Sequence, residues 1–177
     1  NGTIYSFDPT NPSGTLQVEH DFTSAEGSDC AGAVPGSFPA ARLVFSGAKM
    51  YGIRCTGGAN NFGTLFRMKP GMPSSFQLYS FTGGLDGRLP AAGLVAHGGL
   101  LYGVTWLGGQ FSQQYSWGGG IYSVDPSSST LVATSVYQFP PSAGGAGTVG
   151  TQPSGPLVFK GGYFYGCTDY GGLHSAG

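Results

Sequence analysis

Glu19 and Asp21 stand two residues apart in VEHDF, a segment that reads as a β-strand, so both carboxylates leave the backbone on one side. Two carboxyl groups flanking a bond are what glycoside hydrolysis requires, one to protonate the leaving oxygen and one to attack or to activate water. The related segments QLYSF and SVYQF carry Leu78 with Ser80 and Val136 with Gln138 at these places. A solvated outer face therefore explains the pair better than an active site.

Other chemistry is thinner. His20, His97 and His174 fall in a strand, a hairpin turn and a terminal loop, which gives no shared metal ring. His20 aligns with Tyr79 and Tyr137 and reads as a packing residue in an aromatic slot. No GxSxG elbow occurs, and Cys167, in the strand-like YGCTDYGG, reads as buried packing rather than a nucleophile. Asp8, Asp86, Asp125 and Asp169 lie in or near turns without the DxDxDG spacing of a calcium loop. SAGGAGTVG around Gly144 lacks the GxxxxGK[ST] phosphate cradle and reads as a loop. No catalytic, cofactor or metal residue is assigned.

Recognition of sugars is better represented. Trp106, Trp117 and Tyr170 offer flat apolar faces that could stack on sugar rings or pack between subunits or blades. Asn1-Gly2-Thr3 is an N-glycosylation sequon, whereas proline spoils Asn11-Pro12-Ser13. Ser127, Ser128, Ser129 and Thr130 form a run suited to O-linked sugar. Attached sugar would offset a charged fraction of 8%, against about 25% in ordinary globular chains.

Net charge is −1 and the seven basic residues are scattered singly, so there is no electrostatic footprint for nucleic acid. No apolar run reaches the roughly 18 residues of a membrane span, and the first residues are strand-like rather than a signal sequence. The chain reads as a mature soluble product or a fragment. Three cysteines without CxxC spacing disfavour zinc and allow at most one disulfide, with Cys30 and Cys55 the candidate pair.

The elements that would position these residues come as repeats. GTIYSFDP from Gly2, GTLFRMKP from Gly63 and GGIYSVDP from Gly119 are spaced 61 and 56 residues apart. PAARLVFSGAKMYGIRCTGG from Pro39, PAAGLVAHGGLLYGVTWLGG from Pro90 and PSGPLVFKGGYFYGCTDYGG from Pro153 recur in step over twenty positions. With the segments ending at Phe22, Phe81 and Phe139, each repeat holds four candidate strands. In the first strand, Tyr5 and Phe7, Phe66 and Met68, and Tyr122 and Val124 share one side, leaving Ser6, Arg67 and Ser123 on the other. The third is a short apolar run, Leu43 to Phe45, Leu94 to Ala96 or Leu157 to Phe159, followed by a turn glycine at Gly47, Gly98 or Gly161. The fourth carries Gly52, Gly103 or Gly166 after a tyrosine, which predicts close approach, such as crowding near a central axis.

The reading is one all-β domain, 1–177, of three four-stranded antiparallel repeats, 1–62, 63–118 and 119–177. A three-bladed propeller-like ring is the leading arrangement; a β-prism or a segment of a larger propeller are the alternatives. The last repeat stops where another opening is due, so residue 1 follows residue 177 in phase. That fits a closed ring, a longer tandem array, or subunits that complete one another's sheets head to tail.

GT[IL][YF]x[FMV]xP, SFTGGLDGRLPAAGLV and LLYGVTWLGG resemble the GloVer-type tandem repeats of bacterial secreted and surface-anchored proteins, over nearly the whole chain. The resemblance implies a propeller-like architecture and an extracellular location, and carries no catalytic residues. The expected function is a non-catalytic structural module assembling with copies of itself into a layer, stalk or filament, with glycans attached. A carbohydrate-binding module is the alternative, and a hydrolase or lyase using Glu19 and Asp21 ranks last.

Overall fold

The computed structural model describes residues 2–27, 43–109, 117–140 and 149–172, apart from the side chains of Pro12, Ser13 and Trp117. Among these residues it is all-β with a single helical turn, α1 (Pro12–Thr15).

The strands are β1 (Thr3–Ser6), β2 (Gln17–Asp21), β3 (Val44–Ser46), β4 (Lys49–Arg54), β5 (Thr64–Lys69), β6 (Met72–Ser80) and β7 (Arg88–His97), then β8 (Leu100–Leu107), β9 (Trp117–Val124), β10 (Thr134–Gln138), β11 (Thr151–Pro153), β12 (Val158–Lys160), β13 (Tyr163–Tyr165) and β14 (Thr168–Tyr170). Two four-stranded antiparallel sheets run β3-β4-β5-β6 and β7-β8-β9-β10. Each takes its first two strands from one sequence repeat and its last two from the next. The period alone could not reveal this offset, because it sets spacing and not where a sheet begins.

The same offset leaves two halves. Among the described residues β1 pairs only with β2, while β12 pairs with β13 and β11 with β14. Gly47, Gly98 and Gly161 turn the three β3-type strands at φ 58, 59 and 61°, the left-handed conformation that a two-residue hairpin demands and that glycine adopts without penalty. β7 starts six residues before the expected Leu94, and its register slips between Ala91 and Val95, with Ala92 at φ 61°. The bulge absorbs the PAAG segment into the strand.

Packing follows the two faces of each sheet. Tyr51, Ile53 and Leu65 on one face of the first sheet meet Leu94, Leu101, Tyr122 and Val124 of the second. On the first sheet's other face, Met50, Phe66 and Met68 receive Ile4 and Phe22 of the β1-β2 half. On the second sheet's other face, Val104, with Ile121 and Tyr102 beside it, receives Leu157 and Phe164 of the β12-β13 half. The contact order is therefore half, sheet, sheet, half. Each fully buried apolar side chain contributes about 1.5–3 kcal/mol, so these three interfaces hold the fold.

Arg67 departs from the half-buried strand that period-two alternation predicts. It is 2% exposed, because β5, an inner strand of the first sheet, is covered on both faces. Its guanidinium donates to the carbonyls of Ser128 and Ser129 at 2.8 and 2.6 Å and to Gln77 at 2.8 Å.

Candidate functional site

The two half-sheets present the features that distinguish them from the rest of the chain. In the intact sheets the ring at the middle of the first strand lies over the glycine opposite it. Phe66 pairs with Gly52 and Tyr122 with Gly103. A Cβ added at Gly52 would collide with Phe66 Cζ, and one at Gly103 with the Tyr122 phenol. The crowding expected at these glycines is thus a cross-strand ring and not a central axis. Burial pushes the Tyr122 phenol far up from its ordinary pKa.

Tyr5 occupies the same repeat position as Phe66 and Tyr122, yet it is 59% exposed where they are 1%. Phe7 is exposed likewise, against buried Met68 and Val124. At the other end, Val158, Tyr163 and Tyr165 are exposed. Cys167, expected to be buried, is a free and exposed thiol. Its equivalents Ile53 and Val104 are covered by a neighbouring sheet and a first strand, and Cys167 has neither among the described residues.

A groove of about 340 Å³ runs between β1 and the first sheet, lined by Ile4, Tyr5, Phe22, Leu43, Arg54 and Phe66. A second, of about 300 Å³, continues it past Phe7, Glu19, Phe45 and Met50. In the second sheet the equivalent of Leu43 is Leu94, which is buried under the first sheet. The Arg54 guanidinium sits 4.3 Å from the centroid of Phe22.

The other sequence candidates resolve into structural roles. Glu19 is buried rather than solvated: Ser6 O–H donates to Oε1 at 2.7 Å and Gly71 N–H to Oε2 at 2.6 Å. The Gly71 amide and the Ser6 hydroxyl hold its carboxyl below the usual range, and the contact straps the β1-β2 half to the β5-β6 turn. Asp21 is exposed. His20 fills its aromatic slot, stacked on Phe76 at 3.8 Å and 3.3 Å from Glu26 Oε1.

Asp8 and Asp125 cap equivalent turns: each accepts from the hydroxyl and the amide of Thr10 or Ser127, and these bonds lower both carboxyl pKa values. Asp86 accepts from Thr82 N–H at 2.7 Å and Tyr79 O–H at 2.8 Å. Asp169 accepts from the Ser154 hydroxyl and, at 2.9 Å, from the Trp106 indole. Trp106 is therefore half-buried between the second sheet and the β11-β14 pair, while Tyr170 stays exposed. No group of three or more His, Cys, Asp or Glu side chains suited to a metal occurs among the described residues. No helix there is long and apolar enough to cross a membrane.

Ser127, Ser129 and Thr130 are exposed on the loop after β9, whose carbonyls Arg67 holds, and the Ser128 hydroxyl accepts from Thr130 N–H at 3.1 Å. Cys55 is disulfide-bonded. Cys30, Asn1, His174 and the SAGGAGT stretch lie outside the described residues, as does the Trp117 side chain. The repeats place Arg67, Tyr5 and Gly166 on their strands, but their roles emerge only when the repeats are overlaid on the sheet boundaries.

Searches of curated proteins and of solved structures find no match. One family model matches residues 1–177, and the chain belongs to that family, the Gloeobacter/Verrucomicrobia repeat.

Proposed function

We infer that this is a non-catalytic, extracellular structural module that assembles with copies of itself, with glycans on its surface loops. The observation carrying this reading is the pair of half-sheets: each exposes apolar residues whose equivalents are buried in the intact sheets. An unpaired, apolar sheet edge recruits another strand. Blades built across repeat boundaries, each packed on the next, favour a propeller-like arrangement in which the two halves belong to composite blades. Low charge and the exposed Ser127, Ser129 and Thr130 favour attached sugar.

Carbohydrate binding is the second reading, favoured by the exposed rings of Tyr163, Tyr165 and Tyr170 on the last half-sheet. Sedimentation velocity over a concentration series separates the two. Species that grow with concentration support assembly. A monomer at every concentration, thermally stabilised by polysaccharide, replaces it with the lectin reading.

A further inference from the structure

We propose that β1 of one copy docks in fixed antiparallel register on the β13 edge of a second copy, with Tyr5 seated over Gly166. The proposal rests on the assembly reading above and specifies its joint.

The register is written twice inside the chain. In the second sheet Tyr102 pairs with Ser123, Gly103 with Tyr122 and Val104 with Ile121. In the first, Tyr51 pairs with Arg67, Gly52 with Phe66 and Ile53 with Leu65. Carried through the aligned repeats, this pairing sets Tyr165 opposite Ser6, Gly166 opposite Tyr5 and Cys167 opposite Ile4 of the second copy.

Gly166 shows the seat. A Cβ at Gly52, Gly103 or Gly166 would meet the same leucine position, Leu43, Leu94 or Leu157, at 3.1, 2.9 and 3.0 Å. At Gly52 and Gly103 an aromatic ring from the first strand closes the other side; at Gly166 Leu157 is the sole neighbour within 4 Å among the described residues. Tyr5 is the ring of that type left exposed.

The neighbouring surfaces agree. Leu94 and Leu101 of the second sheet are covered by Tyr51 and Ile53 of the first. Leu43 and Met50 hold the equivalent positions and line the grooves beside β1. Once β1 joins a β13 edge, Val158, Tyr165 and Cys167 of the other copy face those grooves, and their exposed apolar surface is removed from water together with that of Leu43 and Phe45. Both half-sheets are completed by one contact, and the contact is head to tail, so it propagates. Within one chain, β1 and β13 are not paired.

Directly opposed strand residues fall within the Cα separation a disulfide can bridge, so the native thiol of Cys167 offers a test. Ile4→Cys is treated with diamide and compared with the unsubstituted chain and with Val18→Cys, which places a thiol on β2 away from the joint. The expected result is a covalent ladder on non-reducing gels, forming at least tenfold faster than in Val18→Cys, with peptide mapping joining position 4 to Cys167 of a different chain. Because Ile4 is a core residue, Ser6→Cys/Tyr165→Cys in a Cys167→Ser background repeats the test at exposed positions. Cross-links confined to single chains overturn the second-copy partner. Polymers that form without either cross-link overturn the register while leaving assembly standing. Monomers without cross-links remove both.

Discussion

The ring of Tyr122 lies over Gly103, its partner across the strand pair, and the space above Gly103 is filled by that ring. A methyl group there forces the phenol aside, and overpacking of this kind costs about 1–3 kcal/mol. Gly103→Ala is therefore expected to lower the melting temperature of the monomer by several degrees. Gly166→Ala, with no ring above it, leaves monomer melting nearly unchanged and instead weakens assembly. Thermal melts at low concentration, with sedimentation at high concentration, separate the two effects.

The Tyr122 hydroxyl is buried without a hydrogen-bond partner among the described residues. Leaving such a group unpaired costs about 1–3 kcal/mol, and the first sheet carries Phe66 at the same place. Tyr122→Phe is expected to hold or raise the melting temperature, in contrast to most core substitutions. A fall of several degrees would mean that the hydroxyl is satisfied.

Arg67 grips two carbonyls of the 125–130 loop with the two terminal nitrogens of its guanidinium. A lysine keeps the charge but loses the planar fork, so Arg67→Lys should destabilise by about 2 kcal/mol, the range of charged hydrogen bonds. Chemical denaturation reads this directly. Amide exchange should quicken first at Ser129 and Thr130.

Acid should loosen the first half-sheet before the rest. The folded carboxyl of Glu19 is held below its ordinary value by Gly71 and Ser6, so its contribution is complete above the unfolded value, about pH 4.3, and is lost as pH falls through the depressed folded value. Amide protection in β1 and β2 should decline over that window while β8 and β9 stay protected. Glu19→Gln should flatten this pH dependence.

The repeats, the all-β class and the three glycine turns were legible because each is a local demand: a period-two alternation, or a backbone angle that only glycine meets without strain. Where a sheet begins is not local. Strands of one repeat pair with those of the next, so Arg67 falls on the open side of a half-buried strand by alternation yet lies between two sheets, and Cys167 reads as core by its repeat position yet is bare where the covering strand is missing. Glu19 reads as a solvated or catalytic carboxylate because its donor, the Gly71 amide, comes from another repeat and leaves no mark in the sequence. Trp106 shows the same limit: a flat ring suits a sugar, but Asp169, sixty-three residues away, accepts its indole N–H.

Electron microscopy of the purified chain across a concentration series tests the central claim most directly. The account predicts regular filaments in which composite blades join successive subunits head to tail, with further density at the glycosylated loops in native material. Discrete, bare monomers at high concentration would contradict it.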